Sequence, residues 1–214
     1  MTEAEPFSKV GIDFAGPLFV KGKQGEMSKV YICLFSCCVT RALHLELVQD
    51  LTAGTFLNCL RRFCAKKGTP TIINSDNAKT FKAIAKFLRK LHSDKNVTDF
   101  LIARRIQWKF NLEVSPWQGG HFERMVRSVK RCLRKVLGNT KLNFDELITV
   151  LSEVECILNS RPLTYQYDEL GGEVLTPSHL MFGRRLSTLS TGIETNMKLI
   201  EEDIHILFLN VSCI

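Results

Sequence analysis

The sequence predicts an α/β fold in which helices cover a mixed five-stranded sheet, and the order of its periodic patterns leads to this prediction. Three strand patterns come first, and two short strand patterns follow later, each after a helical pattern. Consecutive strands joined by turns pair antiparallel, whereas a helical crossover returns a strand parallel to an earlier one. The sheet is therefore expected to contain both kinds of pairing.

The first three strand patterns predict an antiparallel meander. Residues 9–20 form the first strand, which Gly16-Pro17 ends, and a polar turn follows. Residues 30–38 are a continuous apolar run, which is typical of a strand buried on both faces. In residues 43–47 apolar and polar side chains alternate, which predicts a third strand with one face exposed to water.

A helical crossover is predicted next. Thr52 is a favourable N-cap, and apolar residues follow it at helical spacing until Gly68 and Pro70 end the helix. Residues 71–73 then form a short strand pattern. Because a helix separates it from the meander, this strand is expected to lie parallel to the first.

The remaining patterns predict more helices and a fifth strand. Helical patterns over 81–91 and 97–104 precede a strand at 107–110. After a loop, a helix runs over 122–137 and Gly138 ends it. Asn143 with Glu146 forms a capping-box pattern for a last helix, which reaches about residue 159.

Composition restricts the class of protein. The 214 residues are 45% hydrophobic, which suffices for one packed domain, and the net charge is +7 with a pI near 9.0. The charge favours a polyanionic partner, although a generally basic soluble protein has the same balance. We expect no membrane partner, because no stretch approaches about 20 apolar residues and no secretory signal opens the chain. The eight cysteines form no Cys-x-x-Cys pair, and most lie in apolar strand or helix faces, which predicts buried reduced thiols of an intracellular protein, with disulfides as the alternative.

Three acidic residues stand in positions that favour metal chemistry. Asp13 is a lone carboxylate in an apolar strand, Asp76 follows the short fourth strand, and Glu123 opens the long helix after a glycine-rich loop. If they converge, their mutual repulsion requires cations between them. The alternative is three unrelated surface or capping acids, since a glutamate is also favourable at a helix N-terminus.

Four segments carry a family resemblance. Residues 75–81 read Ser-Asp-Asn-Ala-Lys-Thr-Phe, and residues 116–123 read Pro-Trp-Gln-Gly-Gly-His-Phe-Glu. Residues 159–165 and 175–185 follow in the same order. These segments resemble the catalytic core of retroviral integrases, a branch of the RNase H-like polynucleotidyl transferases. The residues of these segments are most similar to those of integrases from BEL/Pao-type retrotransposons.

The resemblance implies both a fold and an activity. The fold is the RNase H-like mixed five-stranded sheet with helices on both faces. The activity is 3′-end processing of retroelement DNA and strand transfer into target DNA. It implies two Mg²⁺ or Mn²⁺ ions, with Asp13 bridging both, Asp76 holding one and Glu123 the other. A homo-oligomer that acts on chromosomal DNA in the nucleus is also implied.

A basic stripe on the long helix predicts a path for DNA. Arg127, Lys130 and Arg134 lie 4, 7 and 11 residues after Glu123, so all four share one helix face. Such a stripe suits a phosphate backbone that passes the active site. The resemblance places Arg127 and Lys130 on the element's DNA end. The alternative is a solvated basic face.

Two polar residues beside the acids complete the predicted DNA contacts. Asn77 follows the second aspartate as in the family, and Gln118 belongs to the loop 115–121. The paired glycines of this loop predict that the loop is mobile. In the family this loop reaches DNA, although Trp117 could equally anchor it in the core.

The predicted organisation is a catalytic core over residues 1–165 and a C-terminal extension over 166–214. We expect the extension to be truncated or irregular, because no periodicity follows residue 186. We also expect the N-terminal zinc module of full-length integrases to be missing. Two other functions stay open: a truncated or domesticated core that binds nucleic acid without catalysis, and an RNase H-type hydrolase, which the loop 115–121 disfavours.

Overall fold

The computed structural model describes residues 4–22, 25–76, 82–111, 116–138, 140–163 and 174–186. Within these ranges five strands form one sheet in the order β3-β2-β1-β4-β5. β1–β2 and β2–β3 pair antiparallel, whereas β1–β4 and β4–β5 pair parallel, so the predicted mixed sheet is confirmed. The strands are β1 (Lys9–Lys21), β2 (Met27–Cys37), β3 (Leu43–Val48), β4 (Ile72–Asp76) and β5 (Gln107–Asn111).

The described helices are α1 (Ala53–Lys67), α2 (Lys82–His92), α3 (Lys95–Ala103), α4 (Pro116–Leu137), α5 (Phe144–Asn159) and α6 (Pro177–Phe182). The Thr52 hydroxyl caps α1 and Gly68 ends it, as predicted. The capping box of Asn143 and Glu146 is also confirmed at the start of α5.

Helices cover both faces of the sheet, because each central strand alternates its side chains between two cores. Val10, Ile12 and Phe14 of β1 pack with apolar residues of α1, α2 and α3. Ala15 belongs to the other core, which α4 and α5 close. A strand side-chain period of two therefore decides which β1 residues face which helical layer.

The prediction that Gly16-Pro17 ends the first strand is wrong. A bulge between Ala15 and Leu18 accommodates the pair, and antiparallel pairing with β2 resumes at Leu18 and runs to Lys21. Proline cannot donate to the ladder, but a bulge removes that requirement locally. β1 is therefore 13 residues long.

The prediction that the third strand has one wet face is also wrong, because all six residues of β3 are buried. The polar residues His44 and Glu46 keep hydrogen-bonding partners: Glu46 accepts from Arg62 and Lys66 of α1. Buried polar groups are tolerated when they are paired. The alternating pattern predicted the strand correctly, but its polar face is covered by α1.

Side chains of α5 satisfy the outer edge of β3. Asn159 Oδ1 accepts from the Leu43 N–H at 2.7 Å, and Asn159 Nδ2 donates to the Leu43 carbonyl at 2.9 Å. Glu155 Oε2 accepts from the Leu45 N–H at 2.8 Å. These contacts occupy backbone groups that would otherwise remain open at an edge strand.

Asn159→Ala is expected to lower the free energy of unfolding by about 2–3 kcal/mol. The substitution leaves both the N–H and the carbonyl of Leu43 without their amide partner in a buried position, and each such loss costs about 1–3 kcal/mol. Urea denaturation would measure the change. Asn96→Ala, at an exposed position on α3, is the control and should change stability little. Equal effects of the two substitutions would contradict a role for Asn159 in closing the edge.

The segment after α5 is attached to the end of that helix. Arg161 is buried and donates to the carbonyls of Leu158 and Arg41, both at 2.6 Å. The Ser178 hydroxyl of α6 donates to the Asn159 carbonyl at 3.0 Å. α6 was not predicted, because it is one short helix whose N-cap, Thr176, stands outside any long apolar period. The domain boundary at residue 165 stays a prediction.

Four cysteines of the described part, Cys33, Cys37, Cys59 and Cys132, are buried as free thiols. Cys38, Cys64 and Cys156 are partly exposed and form no disulfide among the described residues, while Cys213 lies outside those residues. None of the described helices combines the length and apolar content needed to cross a membrane.

Candidate functional site

Asp13 lies in the middle of the central strand β1, on the side of the sheet that α4 and α5 cover. Its neighbours Ile12 and Phe14 face the α1–α3 layer. Because side chains alternate along a strand, Asp13 lies on the same face as Ala15, two residues later. Its side chain is half-buried, and its Oδ1 accepts from the Phe14 N–H at 2.7 Å. A carboxylate so placed stands under the helical layer that contains Glu123.

The strand register brings the Asp76 position next to Asp13. β1 and β4 pair in parallel up to Ile12 and Ser75, and one further step aligns Asp13 with Asp76, the last residue of β4. Neighbouring strands lie about 4.8 Å apart. Ser75 accepts from Trp108 Nε1 at 2.8 Å, and Trp108 packs against the core that α1, α2 and α3 cover. The Asp76 side chain lies outside the described part.

Glu123 lies in the third turn of α4, so the prediction that it opens the helix is wrong. The helix begins at Pro116. Proline is favourable at the first helical position because its fixed φ suits a helix and its missing N–H has no intrahelical partner there. Residues 116–121 are therefore helical, which also corrects the prediction of a mobile loop. The side chains of Gln118 and Glu123, and the whole of Asn77, lie outside the described residues.

The two sides of α4 separate as predicted. Met125, Val126, Val129 and Leu133 are buried against the sheet and α5. Arg127 and Arg134 are exposed and Lys130 is partly exposed. The stripe thus borders the same helical layer that covers Asp13. Its role toward DNA stays a prediction.

Asp13 is the only member of the acidic triad whose side chain the structure describes. Among the described side chains, no three His, Cys, Asp or Glu residues come together as a metal site. The convergence of the Asp13, Asp76 and Glu123 side chains therefore stays a prediction. The backbone pairing of β1 with β4 is consistent with it.

A second charged site, which sequence reasoning missed, lies between β3, α1 and α5 and lines a cavity of about 770 Å³. His44 is at its centre, with Nε2 3.1 Å from Glu46 Oε1 and Nδ1 3.0 Å from Glu155 Oε2. Arg62 and Lys66 contact Glu46 at 2.7 and 2.8 Å. The partners come from three elements far apart in sequence, so no local spacing indicates them.

Hydrogen bonds together have a larger effect than burial on the pKa values of Glu46 and His44 in this cluster. Burial raises the pKa of Glu46, but hydrogen bonds from His44, Lys66 and Arg62 lower it from 4.5 to about 2. Burial lowers the pKa of His44, but hydrogen bonds to Glu155 and Glu46 prevail and raise it above 6.5. The carboxylate is therefore held charged, and His44 is held protonated to higher pH than a free imidazole.

The Glu46 cluster predicts a loss of stability in acid. A depressed carboxyl pKa stabilises the folded state above pH 4.5, and this contribution disappears as pH falls through about 2. Near neutral pH, Glu46→Gln should therefore lower the free energy of unfolding by about 3 kcal/mol. Urea denaturation from pH 2 to 7 would measure it, and the difference from wild type should shrink toward pH 2. A difference independent of pH would contradict the ionic origin.

His44 predicts the opposite trend at higher pH. Its raised pKa stabilises the folded state below pH 6.5, and that stability is lost as pH rises through the folded-state value. The same denaturation series extended to pH 9 would detect the loss, and His44→Gln should remove it.

Comparison with known proteins bears on the fold. No protein-family model matches the sequence, and no curated protein matches it. Among solved structures, a chain of the simian T-cell lymphotropic virus intasome in complex with PP2A regulatory subunit B56 gamma superposes with a TM-score of 0.58 at 17% identity. The match covers 88% of this chain, which spans only 59% of that one.

Two isolated domains are also similar. The HTLV-2 integrase catalytic core domain in complex with magnesium gives a TM-score of 0.55 at 16% identity, with 83% of this chain and 97% of that domain covered. The catalytic core domain of BIV integrase gives 0.56 at 15% identity, with 83% and 95% covered. At such identities the likeness establishes the fold, so the predicted RNase H-like α/β class is confirmed.

Proposed function

We propose that this protein is an integrase-type polynucleotidyl transferase that processes 3′ ends of retroelement DNA and joins them to target DNA. The observation that carries the proposal is the parallel register of β1 and β4. Its last pair is Ile12 with Ser75, so one further step of the same register would align Asp13 with Asp76, and Asp13 lies on the sheet face that α4 covers. α4 carries both Glu123 and the basic stripe. The motif resemblance and the shared fold support the same assignment.

The donor set fits divalent cations. Asp13, Asp76 and Glu123 would supply only carboxylate oxygens, which hard cations such as Mg²⁺ and Mn²⁺ prefer. The half-buried position of Asp13 raises the cost of gathering carboxylates without a counter-charge. We assign Asp13, Asp76 and Glu123 as the ligands of two such ions, which when bound activate the attacking oxygen and neutralise the leaving oxygen.

The chain's own residues then position the DNA. Arg127, Lys130 and Arg134 hold the phosphate backbone along α4, so that a scissile phosphate lies at the Asp13–Asp76 edge. Asn77 and Gln118 are assigned to contacts beside the reacting phosphate. Because phosphate contacts carry no direct base information, target preference is set elsewhere.

Strand transfer by the purified chain on end-labelled DNA tests the proposal. We expect joined products with Mg²⁺ and none after chelation. Retained DNA binding without joining at any Mg²⁺ or Mn²⁺ concentration would favour the alternative, a truncated or domesticated core that binds nucleic acid without catalysis.

Assembly and location are part of the same proposal. The HTLV-2 core is described in a dimeric and a trimeric form. We infer a homo-oligomer for this chain, because joining two element ends to one target requires two active sites. Because the protein would act on chromosomal DNA, we infer that it works in the nucleus. From the residues of its motifs we infer that the element belongs to the BEL/Pao-type retrotransposons.

A further inference from the structure

The face of the sheet opposite α4 carries a second basic concavity, between α1 and the turn after α3. Its volume is about 670 Å³, and Arg61, Arg62 and Arg104 line it together with the polar side chains of Asn58 and Thr69. Among the described residues that line it there is no aspartate or glutamate. Arg62 is paired with Glu46 from outside this lining, so Arg61 and Arg104 contribute the positive charge that attracts an anion.

The arginines differ in how they are held. Arg104 stacks on Phe100, with its guanidinium carbon 4.1 Å from the ring centroid, which orients the plane of its N–H donors. Arg62 uses Nε for Glu46 at 2.7 Å, and 45% of its side chain remains exposed. Arg61, one residue before Arg62 on α1, is exposed. A pre-oriented, planar fork binds phosphate through two parallel hydrogen bonds.

We propose that this arginine pocket, defined by Arg61, Arg62 and Arg104, binds the phosphate backbone of a second DNA segment. The inference rests on the proposed function for the choice of DNA. α1 and α3 cover one face of the sheet and α4 the other, so one duplex along α4 cannot lie straight across both basic sites. An enzyme that joins two DNA molecules needs a separate binding site for each of them.

Thiol protection provides a direct readout of the pocket. Cys64 lines it and is partly exposed, and burial raises the pKa of its thiol while Arg104 opposes that shift. Bound duplex should slow alkylation of Cys64, measured by peptide mass spectrometry on the full chain. In Arg61→Gln/Arg104→Gln the duplex should no longer slow it.

Duplex affinity over a salt series gives the second readout, in the Arg127→Ala/Lys130→Ala/Arg134→Ala background to remove the α4 stripe. Adding Arg61→Gln and Arg104→Gln should reduce the log–log salt slope by about 1.8, since each phosphate contact contributes about 0.9. The control, Arg89→Gln/Arg105→Gln, removes the same charge from exposed positions outside the pocket and should leave the slope unchanged.

Two results would overturn the inference. One is equal salt slopes in the pocket and control variants, which would show a diffuse charge effect. The other is protection of Cys64 by polyglutamate but not by duplex, which would assign the pocket to an acidic protein. Neither readout involves chemistry, so a failure of strand transfer overturns the proposed function without affecting this test.

Discussion

Asp76→Asn is expected to reduce metal-dependent strand transfer by at least about 100-fold while the fold persists. Changing a group that only supports a metal ligand costs about 10–100-fold, so loss of a ligand charge should cost at least as much. Asp76 ends β4, where its backbone pairs with Asn111. Asparagine preserves that pairing. Initial rates on end-labelled DNA over a Mg²⁺ series would measure the effect.

Asp99→Asn is the matched control, because Asp99 is an exposed carboxylate on α3. It should retain wild-type rates. Circular dichroism and urea denaturation should show that both variants are folded. Undiminished activity of Asp76→Asn would place the chemistry at other residues and remove the basis for the triad.

Replacing Arg127, Lys130 and Arg134 together with alanine is expected to produce the largest loss of DNA affinity. Two of these residues are exposed and one is partly exposed, whereas the other side of α4 is buried. If each contacts one phosphate, the log–log salt slope on duplex DNA should fall by about 2.7. The loss should be similar for unrelated DNA sequences, because phosphates carry no direct sequence information.

The charge-matched control replaces Lys29, Lys95 and Lys141, which are exposed on other parts of the surface. It lowers net charge equally but should alter the slope less. A triple variant of α4 with an unchanged salt slope would mean that the stripe is a solvated face and that DNA follows another path.

Local chemistry in the sequence determined the five strands, the helices α1 to α5 and the order of these elements, but not α6. Thr52 and Asn143 cap helices because their side chains satisfy N–H groups a few residues away, a relation visible in any local window. The same holds for the two sides of α4, since helical periodicity alone separates Val129 from Arg127. The pairing of parallel and antiparallel strands followed from the connections between them. These interactions span few residues, so sequence reasoning reached them.

Only the tertiary structure decided which residues are buried where local signals compete, and which residues are in contact when they are distant in sequence. His44 and Glu46 have the pattern of a wet strand face, yet α1 and α5 bring partners from 16 to 111 residues away and make their burial favourable. Asn159 closes the β3 edge across 116 residues. Arg61 and Arg104 form one pocket only because α1 and α3 pack on the same face of the sheet. Long-range contacts depend on the packed arrangement of whole elements, which no short window of sequence contains.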